Sequence, residues 1–340
     1  MHIGLTYDLR SEYLDQGYSE DQTAEFDRDD TIDALEQALI QLGHATNRIG
    51  NIRQLIGRLA NSDHWDLVFN IAEGLYGMGR EAQIPAILDA FAIPYTFSDP
   101  LVMSLTLHKA MTKRVIRDAG LPTSDFAMVV QSGDALKVDF PPPFFVKPVA
   151  EGTGKGVSPA SIVRYQNDLA AACHKLIATY DQPVLVERFL PGREFTVGII
   201  GSGADAAVLG TIEVHLRASA EPDVYSYVNK EHCEELVEYR LVRSKDASPV
   251  KEAEDTALRA WQVLGCRDAG RVDLRCDDKG RPQFMEVNPL AGLHPQHSDL
   301  PIICNLLGIP YVQLIERIVA SAAQRSRVED QRFGRHRQCA

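Results

Sequence analysis

The sequence lacks the marks of membrane, secreted and nucleic-acid-binding proteins. No stretch approaches the roughly 18 consecutive apolar residues that a membrane-spanning helix needs, and no basic segment followed by an apolar core stands at its start. Positive charge is scarce: 35 Lys and Arg stand against 47 Asp and Glu, a net charge of -12. We therefore expect a cytoplasmic protein without nucleic-acid or membrane partners, whose basic residues serve a small anionic ligand.

Paired cysteines and several common catalytic signatures are also missing. The six cysteines are scattered with no CxxC pair, which excludes a zinc knuckle and predicts free thiols. The chain has no GxSxG elbow, no Walker A loop of the form GxxxxGK[ST], and no GxGxxG fingerprint in its first βα unit. What remains to carry chemistry is one glycine-rich loop and several groups of carboxylates.

The first hundred residues alternate between strand and helix patterns. Strands are predicted at 2–7, 66–71 and 93–97, and amphipathic helices at 29–42 and 80–91. Such a series favours a parallel sheet with helices on both faces. The sequence therefore predicts the α/β class for this region, which a domain boundary separates from the rest.

The rest of the chain alternates less regularly. Helices are predicted at 98–119, 252–264 and 310–323, and strands at 144–148, 184–190 and 194–200. From Arg325 the chain is polar and rich in Arg, and we expect a frayed tail there.

The stretch from Arg271 to Asn288 predicts a β-hairpin around a turn at 277–280. Loops of two or four residues give the same pairing, with Asp273 opposite Phe284. One face then carries Arg271, Asp273, Glu286 and Asn288, and the face that needs a core carries Val272, Leu274, Met285 and Val287. Two carboxylates and an amide form an all-oxygen set that suits Mg²⁺ or Mn²⁺ better than zinc. The alternative is a solvated face with an ion pair between Arg271 and Glu286.

A second candidate is the loop that contains Gly152, Gly154 and Gly156, with Lys155 between the last two. Glycines let a backbone approach phosphate oxygens closely and direct its N–H groups at them. Lys147 ends the strand just before this loop, where a strand presents its ligand contacts. The alternative interpretation is a flexible surface turn.

Two further groups of polar residues are weaker candidates. Glu187 and Glu194 flank a Pro-Gly turn, and by themselves they are typical of edge-strand charges. His294 and His297 are spaced like a metal pair, but Pro295 between them prevents a regular helical turn. A pair of loop histidines is the better interpretation.

Taken together and in order, these stretches resemble the ATP-grasp superfamily and, within it, the D-alanine–D-alanine ligase branch. The matching segments are Ile93-Pro-Tyr, Lys109-Ala-Met-Thr-Lys-Arg, Asp118-Ala-Gly-Leu-Pro, Phe145-Val-Lys-Pro, Leu185-Val-Glu-Arg-Phe, Gly192-Arg-Glu-Phe, Leu264-Gly-Cys, Arg271-Val-Asp and Glu286-Val-Asn-Pro. Each segment alone is weak, but the ordered set over nearly the whole chain is specific.

The resemblance implies a fold of three domains, which is α/β in its first domain and α+β in the ATP-grasp part. A Rossmann-like N-terminal domain is expected at 1–103, a central subdomain with the glycine-rich loop at 104–186, and a C-terminal domain with the metal hairpin at 187–324. The polar tail follows at 325–340. ATP is expected to bind between the last two domains. For the assembly, a homodimer is the hypothesis.

The resemblance also implies roles for single residues. The ATP-binding set is Lys109, Lys147, Glu151, Gly152, Thr153, Gly154, Lys155, Gly156, Glu187, Arg188, Phe189, Leu190, Glu194 and Lys230. Glu187 is expected to accept from the adenine amino group and Glu194 to bind the ribose. Asp273, Glu286 and Asn288 are expected to hold two Mg²⁺, while Arg271 and the backbone of Gly292 stabilise an oxyanion.

The departures from the family pattern cluster on the side of the amino-acid substrates. The segment Tyr7–Tyr13 replaces a glycine-containing loop, Glu73 and Arg80 replace other residues, and Glu231 stands where a Tyr is usual. The loop after Asn288 is one residue longer, which puts His297 or Ser298 near the substrate carboxylate. The substrate candidates are Glu73, Arg80, His297 and Ser298.

We therefore predict an ATP-dependent carboxylate–amine ligase that joins small amino acids or amino-acid-like molecules through an acyl phosphate, releasing ADP and phosphate. D-alanine is expected to be a poor substrate, and true D-alanine–D-alanine ligase activity is the alternative within this class. From other classes, an ATP-binding regulatory protein would have no need of the retained polar set, and a nicotinamide-dependent oxidoreductase would need the missing phosphate fingerprint.

Overall fold

The computed structural model describes residues 1–245 and 248–333, which form three sheets with helices packed against them. The strands are β1 (His2–Thr6), β2 (Ala45–Gly50), β3 (Leu67–Asn70), β4 (Phe126–Val129), β5 (Phe144–Pro148), β6 (Ile162–Val163), β7 (Val184–Arg188), β8 (Glu194–Ile200), β9 (Ala207–Leu216), β10 (Val237–Val242), β11 (Ala269–Cys276) and β12 (Pro282–Asn288). The helices are α1 (Arg10–Asp15), α2 (Asp29–Gln41), α3 (Ile52–Ala60), α4 (Gln83–Ala90), α5 (Pro100–Leu107), α6 (Lys109–Asp118), α7 (Gln166–Tyr180), α8 (Tyr227–Glu231), α9 (Cys233–Leu236), α10 (Ser248–Leu264), α11 (Asp299–Leu306) and α12 (Tyr311–Phe333).

The first sheet is parallel, in the order β2-β1-β3, as the alternating pattern predicts. Its two faces are buried in different cores: one packs against α2 and α12, the other against α3 and α4. The strand predicted at 93–97 is reduced to a single bridge between Val68 and Tyr95. The pattern was misleading there because a run of apolar residues can be buried beside a sheet without a full ladder.

The other two sheets are antiparallel. The second has the order β4-β7-β5-β6 and buries its inner face under α7. The third has the order β10-β9-β8-β11-β12 and is covered by α10. The result is a mixed helix-and-sheet fold in which the last two sheets supply the strand ends and the hairpin that surround the site.

The helix predicted at 98–119 is two helices, because the chain changes direction at His108. Asp99 caps the first helix by accepting from Val102 N at 3.0 Å. His108 has φ -86° and ψ 84°, and its ring accepts from Met111 N at 3.3 Å as the cap of the second helix. This break puts Lys109 at the first position of α6, where Lys109 N donates to Val149 O at 3.0 Å.

The final helix extends beyond its predicted end at 323 and reaches Phe333, so the segment 325–333 is helical; residues 334–340 of the polar tail lie outside the described residues. In the described part of the chain no single helix is long and apolar enough to cross a membrane. Only α11 and α12 taken together pass that test, as a pair bent by 119°, and both helices pack in the core.

The central hairpin forms as predicted, but its register differs. Asp273 pairs with Glu286 rather than with Phe284, and a β-bulge follows, so that Leu274 pairs with Phe284. The extra residue is Met285, which leaves the buried face and points into a cleft, while Phe284 fills the core in its place. The predicted polar face survives because the bulge lies on the turn side of Asp273 and Glu286.

Candidate active site

Four cavities meet around the hairpin, and we name them by their linings. The lysine cleft is lined by Lys109, Lys147, Lys155, Lys230, Glu194, Asp273 and Glu286 among others. The apolar slot beside it is lined by Phe145, Glu187, Arg188, Phe189, Leu190, Arg275 and Met285. The acidic cleft contains Glu25, Glu73, Glu81, Lys109, Arg271, Glu286 and Gly292, and the mixed cleft contains Arg10, Asp27, Lys230, Glu231, Arg271, Gly292, His297, Ser298 and Asp299.

Lysines and glutamates alternate along the floor of the lysine cleft. Lys147 Nζ lies 3.3 Å from Glu187 and 3.5 Å from Glu286, and Lys109 Nζ lies 3.6 Å from Glu286. Burial opposes the charge on Glu286, but the two lysines outweigh it and hold its pKa well below the ordinary range. The pKa of Lys147 is raised above its ordinary value, because its two glutamates outweigh its burial. Burial lowers the pKa of Lys109, and Glu286 opposes the fall. Both lysines line the cleft floor, where an anion would contact them.

The apolar slot is lined by aromatic and aliphatic side chains. Phe145 and Met285 line it, and Arg275 lies 5.4 Å from the ring of Phe189. Arg275 also pairs with Glu194 at 3.3 Å, the residue it faces across the sheet. The predicted segment Glu187–Leu190 lines this slot throughout, and Glu187 is its buried polar end.

The oxygen ligands predicted for a metal converge as the hairpin face requires. Asp273 and Glu286 are directly paired across the strands, and Asn288 Nδ2 lies 3.3 Å from Asp273 Oδ2. Thr196 Oγ1 donates to Asp273 Oδ1 at 2.9 Å and fixes its orientation. Among the described residues no group of three or more His, Cys, Asp or Glu has the arrangement of a metal site. Two carboxylates and an amide beside a cleft still fit Mg²⁺, which is commonly held by one or two carboxylates together with substrate phosphates.

The glycine-rich loop is attached to the N-terminal region through Glu25. Gly152 N donates to Glu25 Oε1 at 2.6 Å. Lys155 pairs with Glu151 at 2.5 Å and lies 3.9 Å from Glu25. Gly154 needs its glycine because its φ is +79° and an added Cβ would stand 3.0 Å from Tyr227 N. The loop thus lies across the lysine cleft, closely packed against α8.

Arg80 is not placed where its prediction as a substrate-binding residue requires. It is 8% exposed, donates to Glu25 at 2.8 Å and to Ala150 O at 2.9 Å, and lies 3.7 Å from Glu151. Because its donors are occupied by these groups, Arg80 holds the base of the glycine loop and does not line any of the four cavities. Sequence reasoning could not detect this, since Glu25 and Arg80 are 55 residues apart.

The acidic cleft contains two carboxyls without a protein partner. Glu73 and Glu81 line it, and neither forms an ion pair or a side-chain hydrogen bond with the described residues. Burial raises the pKa of Glu73 well above its ordinary value, and the nearby Glu81 adds to the rise. Burial likewise raises the pKa of Glu81 to about 7. A cation that entered this cleft would meet two carboxyls without a direct ion-pair partner among the described residues, on which Arg80 and, for Glu81, Lys109 act at longer range.

The mixed cleft shares Arg271 and Gly292 with the acidic cleft. Arg271 forms an ion pair with Asp273 and lies 3.3 Å from Asp299, so two carboxylates fix its guanidinium. His297 and Ser298 line this cleft, and Ser298 Oγ accepts from His294 N at 3.0 Å. Of the segment Tyr7–Tyr13, the lining includes Arg10. The predicted oxyanion pair of Arg271 and Gly292 therefore lies where the two clefts join.

Four residues of the site were not identified from the sequence. Glu25 and Asp299 line the clefts, Glu81 adds an unpaired carboxyl, and Lys113 lies against Glu187 at 2.6 Å. Glu25 and Glu81 carried no motif. Lys113 stood in a matching segment but had no role assigned to it, and only the fold brings it to Glu187. The five described cysteines are free, as predicted, and all five are buried.

Comparison with known proteins gives one consistent family. The model described as "D-ala D-ala ligase C-terminus" matches residues 115–320. The chain is 34% identical over 294 residues to the D-alanine–D-alanine ligase of Bordetella pertussis, covering 85% of this chain and 88% of that protein. It is 31% identical over 291 residues to the ligase of the same name from Bordetella petrii, covering 85% of each.

Solved structures share the fold at lower identity. The D-alanine–D-alanine ligase of Bacillus anthracis complexed with ATP matches with a TM-score of 0.72 at 20% identity, covering 97% of this chain and 99% of that one. The VanG D-Ala:D-Ser ligase of Enterococcus faecalis matches with a TM-score of 0.71 at 18% identity, covering 94% and 99%. These likenesses concern the overall fold.

Proposed function

Because this chain belongs to the D-alanine–D-alanine ligase family and is an ATP-dependent ligase that forms C–N bonds, we propose that it joins small amino acids or amino-acid-like molecules, one of which carries an additional ammonium group. The observation that carries the proposal is the pair of unpartnered carboxyls, Glu73 and Glu81, in the acidic cleft. Burying a carboxyl without a cation is unfavourable, and a substrate ammonium would relieve that cost for both.

We assign the binding of ATP to the lysine cleft and the apolar slot. Lys109 and Lys147 contact the phosphates, the loop Gly152–Gly156 covers them, and the base enters the slot beside Phe145. Asp273, Glu286 and Asn288 hold Mg²⁺ or Mn²⁺, which would neutralise phosphate charge when bound. The fit of an all-oxygen set beside the cleft supports this assignment.

The reaction is placed at the junction of the acidic and mixed clefts. A substrate carboxylate attacks the γ-phosphorus and the bond to the bridging oxygen breaks, which releases ADP and leaves an acyl phosphate. The amine of the second substrate attacks the acyl carbon, loses a proton and expels phosphate. Arg271 and the N–H of Gly292 stabilise the oxyanion of that step, because both line the two clefts.

The proposal extends to the location, the domains and the assembly of the protein. We place the protein in the cytoplasm on account of its nucleotide substrate and free cysteines. We propose the three-domain division at 1–103, 104–186 and 187–324, with a Rossmann-like first domain. Its support is the three separate sheets, of which the second has a core formed within its own range. Light scattering of the purified protein tests the homodimer.

The substrate proposal is tested by phosphate release from ATP across a panel of D- and L-amino acids, singly and in pairs. The decisive comparison is between diamino acids, such as 2,3-diaminopropionate and ornithine, and alanine. We expect the diamino acids to give the higher kcat/KM. Fast turnover with D-alanine alone, at roughly 1–10³ s⁻¹, would contradict the proposal and establish D-alanine–D-alanine ligase activity, the activity for which the two Bordetella relatives are named.

The variant E73Q separates the two substrate classes. Glu73→Gln keeps the size of the side chain but removes its charge, so kcat/KM for a diamino acid should fall by about tenfold while the value for alanine changes little. The matched control is E238Q, on an exposed position of β10. An equal loss for both substrates would assign Glu73 to general packing.

A further inference from the structure

Lys113 lies behind the apolar slot, is 0% exposed and lines none of the four cavities. Its Nζ lies 2.6 Å from Glu187 Oε1 and donates to Thr123 Oγ1 at 2.7 Å, Phe284 O at 3.1 Å and Ser124 Oγ at 3.3 Å. An ammonium has three N–H donors, so four acceptors account for all of them. Because all its donors are used, the buried Lys113 side chain is fixed in place.

Two partners of Lys113 are tied to the lining of the slot through different strands, β7 and β12. Glu187 is the buried polar end of the slot, and Phe284 immediately precedes Met285, the bulged residue that enters it. The Phe284 carbonyl accepts from Lys113 and also from Thr123 Oγ1 at 2.9 Å. Lys113 therefore sets the position of the carboxylate relative to the apolar wall.

The acceptor capacity of Glu187 is almost used up by the protein. A carboxylate has about four lone-pair sites. Oε1 receives Lys113 and also Ser124 Oγ at 3.3 Å, and Oε2 faces Lys147 at 3.3 Å. One acceptor site on Oε2 remains for a ligand, and it can accept from an amino group but cannot donate to a carbonyl.

We propose that Lys113 is a positioning residue for base selection: it fixes Glu187 as an acceptor-only carboxylate, so that the slot takes a 6-amino purine and rejects a 6-oxo purine. The proposal rests on the proposed function through the placement of the base in the slot. Lys113 does not touch the nucleotide and acts through Glu187. Without Lys113, Glu187 would keep Lys147 and Ser124 but would lose the shortest contact that fixes Oε1. It could then turn, or take up a proton and donate to a 6-oxo group.

The charges around the pair agree with this role. Burial alone would raise the pKa of Glu187, but Lys113 and Lys147 outweigh it and hold that pKa below its ordinary value. Burial lowers the pKa of Lys113, and Glu187 opposes the fall. Each partner thus maintains the charge of the other.

The test compares ATP with ITP, which differs in carrying a 6-oxo instead of a 6-amino group, by calorimetric binding to the full chain. The wild type should bind ATP about tenfold or more tightly than ITP, the scale of a hydrogen bond to a charged group. K113M should reduce that ratio to near one, mainly by weakening ATP, and K113R should retain most of it. A purely structural role would weaken both nucleotides equally and leave the ratio unchanged, which would overturn the proposal.

A double-mutant cycle covers the case in which K113M does not fold. K113M/E187Q removes both charges of the buried pair and should fold, because neither is left alone. If Lys113 acts through Glu187, the ratio for K113M/E187Q should equal that for E187Q. A further fall in the double variant would overturn the proposal. A wild type that binds ATP and ITP equally would overturn both the proposal and the assignment of Glu187 to the base, whereas a retained ratio in K113M would overturn the proposal alone.

Discussion

The lysine cleft and the acidic cleft share Lys109 and Glu286, yet they treat buried charge in opposite ways. Around the lysine cleft and the adjoining apolar slot the glutamates lie close to basic side chains: Glu187 against Lys113 and Lys147, Glu286 against Lys109 and Lys147, and Glu194 against Arg275. In the acidic cleft Glu73 and Glu81 face open space without a partner among the described residues.

The difference means that the lysine cleft is already organised before its ligand binds, whereas the acidic cleft needs the charge of its ligand. Paired charges keep their positions and ionisation in the absence of a ligand, so an incoming triphosphate meets a prepared surface. Half-buried carboxyls without an ion-pair partner shift toward their neutral form until a cation enters. The nucleotide side is therefore expected to be insensitive to pH near neutrality, and the substrate side sensitive.

The largest expected effect comes from removing the charge that the two clefts share. E286Q should lower kcat by about 10²- to 10³-fold, since Glu286 lies against both lysines and belongs to the oxygen face. The measurement is ADP release at saturating substrates. D278N, an exposed change in the turn of the same hairpin, is the matched control and should be silent. Near-normal turnover in E286Q would remove Glu286 from the site.

Removing the ammonium group of Lys147 from the lysine cleft should mainly weaken the binding of the nucleotide. K147A should weaken ATP binding by about 1–3 kcal/mol, the range for hydrogen bonds to charged groups, as measured by calorimetry. K137A, on a side chain that is 76% exposed, provides the comparison. Unchanged ATP affinity in K147A would contradict the phosphate assignment.

The unpaired state of Glu81 should appear in the pH dependence of stability without ligand. Its pKa in the folded chain is about 7, above the ordinary 4.5, so the folded state binds the proton more tightly than the unfolded state. Its contribution is therefore full below about pH 4.5 and is lost as pH rises through about 7. E81Q should remove this decline, which is at most about 3 kcal/mol. Urea denaturation between pH 5 and 8 measures it, and parallel curves for wild type and E81Q would contradict the prediction.

The smallest effect is expected at the rim of the mixed cleft. Glu231 is 34% exposed and lies 3.8 Å from Arg10, and an ion pair with that exposure contributes about 0–1 kcal/mol. E231Q should therefore change the KM of the second substrate by less than about fivefold and leave the KM for ATP unchanged. Initial-rate kinetics with each substrate varied in turn measures both values, and a shift in the KM for ATP would show that the rim is coupled to the lysine cleft.

Local patterns were sufficient for the parallel sheet, for strands β5 and β8, and for the polar face of the hairpin. Alternation of side chains placed Asp273 and Glu286 on one face even though the predicted register was wrong. The predicted register pairs Asp273 with Phe284 and the observed one pairs it with Glu286, and both keep the four polar residues on the same face. The bulge that moved Met285 into the slot had no sequence signal, since Phe284 and Met285 are both apolar and either suits a core.

Long-range pairing set the limit of what could be predicted. The contact of Glu25 with Arg80 spans 55 residues and that of Lys113 with Glu187 spans 74. No spacing rule connects such positions. From the sequence alone Arg80 was therefore a substrate candidate, and Lys113 was a helix residue without an assigned role. The unpaired state of Glu81 is similarly a property of the folded cleft, and depends on which cations the fold directs elsewhere.

The return of the last helix to the first sheet has a consequence for how the chain is made. Leu314, Ile315 and Ile318 of α12 complete the core that begins with Ile3 and Leu5. During synthesis the first sheet therefore emerges from the ribosome with one side uncovered. That side stays uncovered until almost the whole chain has been translated, at about 5–20 residues per second. The second sheet closes its core with residues 129–186 alone. We expect the middle of this protein to fold before its beginning.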